Sequence, residues 1–260
     1  MLSLVTGASS GIGLQYATQL ARDYHSDLLL VSNQEAELNQ VATDLAAQYG
    51  VKTIAKYADL SKQDAAEQLF DYCEKEGLEV EVLVNNAGVF FFNPYCDTAM
   101  RRIELMLNLH MVTTAKLCRL FGERMRERRH GYILNMSSMS AWMVMPGIQT
   151  YNATKAFIYN LSKSLWYELM PYGVHVLVMT PGAVDTALFG LAPNLRKLAV
   201  NVSVSIPPEK LVKKALRKLF KTKRKSCMPG VINHLCTPLL KHTPDWMIRL
   251  AMHFVGKYQK

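Results

Sequence analysis

Apolar runs of five to seven residues alternate with helix-length amphipathic stretches through the first 180 positions of this 260-residue chain. Leu2 to Thr6, Asp27 to Ser32, Val51 to Ala55, Val80 to Asn85, Tyr132 to Ser137 and Val174 to Thr180 predict strands. Most are Val, Leu and Ile runs without alternation, the pattern of strands covered on both faces. Between them, Ile12–Tyr24, Glu35–Tyr49, Gln63–Glu76 and Thr98–Arg129 carry apolar residues at helical spacing. Strand and helix in alternation imply βαβ crossovers, hence an α/β, doubly wound parallel sheet. The rhythm breaks after Pro181. Residues 183–208 form a sparsely charged apolar insertion, and the tail after Pro229 mixes Met, Trp, Leu and Pro. No repeat, low-complexity tract or Gly/Ser linker divides the chain, so residues 1–260 predict a single domain.

Composition narrows the class. Half of the residues are hydrophobic and 20% are charged, which suits a globular protein with a sizeable core. No stretch reaches the roughly 18 apolar residues needed to cross a bilayer. The chain passes from Met1 straight into an apolar run without a basic n-region, so a secretory signal is not expected. Five cysteines without a C-x-x-C pair read as free thiols in a reducing compartment, with the cytoplasm as the expected location.

The net charge of +9 is unevenly placed. Arg196 to Lys260 hold 15 Lys or Arg against only Glu209 and Asp245, while the first 195 residues carry a net −4. Nine of the basic groups fall between Lys210 and Lys225. Lys210, Lys213, Lys214, Arg217, Lys218 and Lys221 follow helical spacing, with Leu211, Val212, Ala215, Leu216, Leu219 and Phe220 on the other side. Pro207 and Pro208 fit the first turn of this helix, and Glu209 suits its positive end. Two readings follow. The basic face is simply solvated, or it is drawn to an anionic surface such as membrane headgroups or a phosphate-bearing substrate. Nucleic acid is not expected, because no reading motif or aromatic platform accompanies the patch.

The candidate chemistry begins after the first strand, at Thr6-Gly7-Ala8-Ser9-Ser10-Gly11-Ile12-Gly13. Glycines between a first strand and a first helix let backbone amides approach a pyrophosphate, and the helix N-terminus adds positive partial charge. Further on, Tyr151 and Lys155 stand four apart, on one face of a helix. A neighbouring cation favours phenolate and would lower the pKa of Tyr151. Such pairs also arise by chance on surface helices. Ser138 closes an apolar strand thirteen residues before Tyr151, at the carboxyl edge where doubly wound sheets bind ligands. Either serine of the Ser137-Ser138 pair also suits an ordinary turn or cap.

In their order along the chain, these motifs resemble the short-chain dehydrogenase/reductase family, in its single-domain Tyr-x-x-x-Lys branch. The resemblance covers roughly residues 1–190 and rests on Thr6-Gly7-x-x-x-Gly11-Ile12-Gly13, Asp59-Leu60, Asn85-Asn86-Ala87-Gly88, Asn108, Ser138, Tyr151-x-x-x-Lys155 and Pro181-Gly182-x-x-x-Thr186. It implies a Rossmann fold and a dinucleotide-dependent oxidoreductase of the carbonyl reductase or alcohol dehydrogenase type. Tyr151 would exchange the proton with the carbonyl oxygen, Lys155 would depress its pKa and hold the nicotinamide ribose, and Ser138 would polarise the carbonyl. Asn108 would help seat a water that links Lys155 to solvent. Gly7, Ser9, Ser10, Gly11, Ile12 and Gly13 would line the pyrophosphate. Asp59 and Leu60 would meet the adenine, and Asn86, Ala87 and Gly88 the adenosine ribose side. Pro181, Gly182, Val184 and Thr186 would meet the nicotinamide end. Asn85-Asn86-Ala87-Gly88 also suits a structural strand-end turn. No metal is implied.

Cofactor choice rests on the end of the second strand. A carboxylate there would bind the 2′-hydroxyl of NAD, and an arginine would favour NADP. Val31-Ser32-Asn33-Gln34 offers neither. Without the carboxylate barrier, and with Ser32 and Asn33 able to hydrogen-bond a phosphate, NADP is expected and NAD is the alternative. Substrate-facing segments of the family read Val89-Phe90-Phe91-Phe92, Ala141-Trp142-Met143-Val144-Met145 and Ala187-Leu188-Phe189-Gly190-Leu191 here, all apolar. They suit a hydrophobic, lipid-like ketone, or they only pack a lid on the core. Residues 183–208 would be the substrate loop and 209–260 a basic and apolar C-terminal part. Met228-Pro229-Gly230 stands where an Asp-Gly-Gly ending would be usual, and with its tail it resembles members acting on long-chain 3-oxo lipids or 17-ketosteroids. Peripheral contact with an anionic membrane and a homo-oligomer, dimer or tetramer, are the remaining expectations. The competing functions are an NAD-dependent dehydrogenase of smaller secondary alcohols and a non-catalytic dinucleotide-sensing protein.

Overall fold

In the computed structural model, which describes residues 1–184, 205–230, 233 and 243–249, the apolar runs become the strands of one parallel sheet. β1 (Leu2–Thr6), α1 (Gly11–Tyr24), β2 (Asp27–Ser32), α2 (Glu35–Tyr49), β3 (Thr53–Tyr57), α3 (Ala65–Lys75) and β4 (Val82–Asn85) make the first half. α4 (Met100–Leu107), α5 (Thr114–Glu127), β5 (Gly131–Met136), α6 (Gln149–Leu169) and β6 (Val174–Met179) continue it. β7 (Ala183–Val184), β8 (Ser205–Ile206), α7 (Pro208–Lys221) and β9 (Ser226–Cys227) follow. The main sheet runs β3-β2-β1-β4-β5-β6-β9, and β7 pairs with β8 apart from it. Ser3 faces Leu28 on one side and Val82 on the other, which sets β1 between β2 and β4. The chain therefore reverses its direction of winding between β1 and β4, opening a crevice at their carboxyl ends.

Because the strands are apolar on both faces, each face is roofed by helices. Tyr16, Leu20, Leu38, Leu45, Leu211 and Leu216 from α1, α2 and α7 pack one side. Leu69, Cys73, Leu117, Phe121 and Leu169 from α3, α5 and α6 pack the other. The basic helix forms as its periodicity predicts: Leu211, Val212, Ala215, Leu216 and Leu219 are fully buried, while Lys210, Lys213, Lys214, Arg217 and Lys221 are exposed. Burying five such side chains stabilises the docked helix by several kcal/mol, at about 1.5–3 kcal/mol for each large aliphatic group. Of the cysteines described, Cys73, Cys118 and Cys227 are buried thiols and Cys96 is exposed. No helix among the described residues is long and apolar enough to cross a membrane.

Several elements differ from the sequence expectation, among them β4 and α3, which each start two residues later than expected. Thr98–Arg129 is interrupted by a π-helical stretch, Asn108–Thr113, between α4 and α5. There His110 and Thr113 both send side-chain bonds out of the helix, Thr113 Oγ1 donating to the Leu60 carbonyl at 2.7 Å. β3 starts two residues later than expected, because Gly50 ends α2 in the left-handed region and Val51 is spent in the core. β9 has no counterpart in the apolar pattern of the sequence. Its two residues follow Lys223-Arg224-Lys225 and pair with Val178 and Met179, too short a stretch to leave a hydrophobic pattern.

Candidate active site

The crevice holds a cleft of about 460 Å³ along the carboxyl ends of β1, β2, β4, β5 and β6. At its floor lies the loop from β1 to α1, where Gly7 (φ +66°) and Gly11 (φ +56°) take backbone conformations that favour glycine. Ser9, Ser10 and Ile12 line the cleft with them. Gly13 does not. A Cβ there would stand 1.9 Å from the Gly7 carbonyl oxygen, so this glycine lets the helix close on the loop rather than facing the cleft. Ser10 is the N-cap of α1 but makes no side-chain capping bond, and the first turn has no acidic residue. The leading amides of α1 are thus left to an anion.

The loop is pinned from β4. Asn86 Nδ2 donates to the Thr6 carbonyl at 3.0 Å, and the amides of Asn86 and Ala87 donate to Thr6 Oγ1. Asn85 instead donates to Asn135 Oδ1 at 2.8 Å, and Asn135 Nδ2 donates to Ser162 on α6. Of the two asparagines, one shapes the cleft and the other staples β4 to β5. Ala87 and Gly88 line the wall above the loop. Asp59 accepts from the Ser61 amide and hydroxyl, fixing the turn after β3, and with Leu60 it closes the far end. At the end of β2, Ser9 Oγ and Ser32 Oγ are 2.9 Å apart, and Ser9 donates to Gln34 Oε1. Asn33 is exposed at the rim. Neither a carboxylate nor an arginine stands there. The cradle of amides and small residues fits a dinucleotide.

At the other end Tyr151, Lys155 and Ser138 come together. α6 presents Tyr151 and Lys155 on one buried face, 6% exposed each, with the Lys155 ammonium 5.5 Å from the phenol ring centre. Lys155 Nζ donates to the Met136 carbonyl at 2.9 Å, while Ser137 Oγ donates to the Lys155 carbonyl at 2.7 Å. The adjacent serines are therefore divided in function. Ser137 locks α6 to β5, and Ser138 faces the cleft, hydrogen-bonded to the Tyr151 side chain and accepting from the Ser140 amide. Burial pushes the Tyr151 hydroxyl up to about 12, with the Ser138 bond pulling down, and it pulls the Lys155 amine down to about 8. The lowering of Tyr151 by Lys155 expected from sequence is not found here: burial raises the phenol, and the opposing pull comes from Ser138. Tyr151 keeps its proton at neutral pH.

Pro181, Gly182 and Val184 line the cleft beside this group, while Thr186 and Ala187-Leu188-Phe189-Gly190-Leu191 lie outside the described residues. Asn108 is half-buried at the start of the π-helical stretch and does not line the cleft. Two positions on, roughly halfway round a helical turn, His110 does. The apolar walls are Val89, Leu105 and Leu109 within the cleft, with Phe90 edge-on to Tyr151 at 5.1 Å between centroids. Asn93 N donates to the Gly147 carbonyl at 2.9 Å, joining the loops after β4 and β5 into one lip. Phe92 (41% exposed) packs over Gly147, and Val144 is 77% exposed on that lip.

Residues 2–194 match the family model described as short chain dehydrogenase. The chain belongs to this family. As a short-chain dehydrogenase it is an oxidoreductase, and its relatives are named as reductases and dehydrogenases. It is 31% identical over 261 residues to a very-long-chain 3-oxoacyl-CoA reductase of Phaeosphaeria nodorum, covering 98% of this chain and 71% of that one. A 17-beta-hydroxysteroid dehydrogenase type 3 of Mus musculus is 30% identical over 188 residues, 72% of this chain and 61% of its own length. Both relatives are longer than the part they share with this chain. Among solved structures, a short-chain dehydrogenase from Sphingobium yanoikuyae in complex with NADPH superimposes with a TM-score of 0.79 at 29% identity, covering 88% of each chain.

Proposed function

We propose that the protein is an NADPH-dependent reductase of a ketone on a hydrophobic, lipid-like substrate. The observation that carries this is the meeting of Tyr151, Ser138 and Lys155 at one end of a dinucleotide-shaped cleft whose neighbouring walls are apolar. Gly7, Gly11, Ile12 and the uncapped start of α1 would hold the pyrophosphate, and Ser32 and Asn33 the 2′-phosphate of NADP. When bound, the reduced nicotinamide supplies a hydride to the carbonyl carbon. The protein's own part is placement and the proton. Ser138 and Tyr151 hydroxyls donate to the carbonyl oxygen, and Tyr151, protonated at neutral pH, gives up its proton as the alcohol forms. Lys155 supports the phenolate left behind.

Val89, Leu105, Leu109 and the Phe90–Phe92 lip would take the apolar part of the substrate, excluding water as they do so. The names of the relatives support a 3-oxo lipid or steroid over a small alcohol. The exposed cationic face of α7 would rest on anionic headgroups at a membrane surface, the place where such substrates concentrate. The chain would act as one domain and associate with copies of itself. Fluorescence titration with NADPH and NADH tests the cofactor reading. Tighter binding of NADPH is expected; preference for NADH would move the search to NAD-dependent oxidation of small secondary alcohols.

A further inference from the structure

A buried imidazole spans the apolar wall and the helix that carries Tyr151. His110 is 1% exposed, and its Nε2 accepts the Val89 amide proton at 2.9 Å. An acceptor nitrogen carries no hydrogen, so the ring proton of the neutral imidazole sits on Nδ1. Nδ1 lies 2.9 Å from Thr154 Oγ1, and the Thr154 hydroxyl donates in turn to the Tyr151 carbonyl at 2.8 Å. Val89 N–H, His110, Thr154 and the Tyr151 carbonyl thus form one directional chain in which every donor has a single acceptor. The ring also stands at 72° to the Tyr151 phenol, 5.9 Å between centroids. A Cβ at residue 88 would be 3.0 Å from His110 Nε2, so Gly88 lets the turn close on the ring.

We infer that His110, in its Nδ1–H tautomer, is a positioning residue that couples the Val89 wall of the substrate cleft to the turn of α6 bearing Tyr151, and so sets the place of the phenol. The role rests on the reductase reading above, in which Tyr151 is the proton donor. It is independent of the hydroxyl's own bond to Ser138. Burial and the nearby Lys155 charge both hold His110 well below its ordinary pKa, which keeps the acceptor at Nε2 available to Val89. Of the other titratable groups facing the ring, Tyr151 and Lys155 both come from α6.

His110→Leu removes both bonds, and His110→Gln keeps one acceptor and one donor. Thr154→Val removes the next link while preserving shape. Steady-state ketone reduction should show kcat lower by about tenfold to a hundredfold in His110→Leu, since a small misplacement of a reacting group costs that much. KM and the NADPH dissociation constant should stay within about threefold. His110→Gln should recover much of kcat, and His110→Leu/Thr154→Val should be no slower than the slower single variant, because both cut one chain. Wild-type kcat in His110→Leu, an equal rise in KM and the NADPH constant, or additive losses in the double variant would overturn the inference. Long-range ¹H–¹⁵N correlation of His110 reads the tautomer without turnover. A proton on Nδ1 alone is expected, and one on Nε2 contradicts the geometry. A wild-type protein that reduces no ketone would defeat the reductase reading and the positioning role with it, whatever the tautomer.

Discussion

Lys155 is buried with its ammonium on the Met136 carbonyl, and that burial brings its pKa down to about 8. The unfolded chain would hold the same proton up to about 10.4. Between those values the unfolded state binds more protons than the native one, so this lysine makes stability rise with pH there, by up to about 1.4 kcal/mol per pH unit. Below about 8 the native state bears the cost of a buried charge. The buried thiols Cys73 and Cys118, raised to about 12, pull the other way over the same range in both proteins, so denaturant unfolding at pH 8 and 9 should show a more positive change of stability with pH in wild type than in Lys155→Met. Equal slopes would mean that Lys155 is not desolvated as described. For the proton donor, Tyr151→Phe should lower kcat by about a hundredfold or more while binding NADPH as wild type does. Near-normal turnover in that variant would remove Tyr151 from the chemistry. Spacing set Tyr151 and Lys155 on one helical face and Ser138 at a strand end, but it was the resemblance of the ordered motifs to the family that singled them out in the sequence. His110 was not legible there. A lone histidine in an apolar helical run carries no mark of its function, which depends on Val89 and Thr154, 21 and 44 positions away.

At the scale of elements, amphipathic period and apolar runs were enough for α2, β1 and β2, whose ends agree with the sequence expectation. They failed where tertiary contacts decide. The π-helical stretch follows a helical pattern like any other, and β9 owes its place to β6 rather than to its own two residues. Gly13 could be read only as part of a glycine motif, whereas the structure shows a helix packed onto the Gly7 carbonyl. Gly13→Ala should therefore destabilise by about 1–3 kcal/mol or more, as overpacking does, and weaken dinucleotide binding by displacing the loop. Unchanged stability and binding would contradict that packing. On α7, Leu216→Ala should cost about 2–5 kcal/mol, and Arg217→Glu, one position on but exposed, about 0.5 kcal/mol or less. Chemical denaturation distinguishes the two faces.

Across the whole molecule, charge and chemistry separate. The sheet's carboxyl edge carries the cleft, and α7 turns an exposed row of Lys and Arg outward from the flank formed with α1. Sedimentation with phosphatidylserine-containing vesicles should show binding at low salt that falls as salt rises and is lost in Lys213→Glu/Arg217→Glu, with turnover of a water-soluble ketone unchanged. Binding that survives both treatments would mean another surface is responsible. The sequence showed the basic face but not what stood beyond it. The docked apolar face now shows that the cations are left outward by the fold itself. The proposed reduction of an apolar ketone at Tyr151 is checked most directly by following NADPH oxidation with 3-oxoacyl thioesters of increasing chain length, in wild type and Tyr151→Phe. In wild type kcat/KM should rise with chain length, and in the variant it should be almost completely lost. A rate that is absent in wild type, or equal in the two proteins, would contradict the proposed reduction.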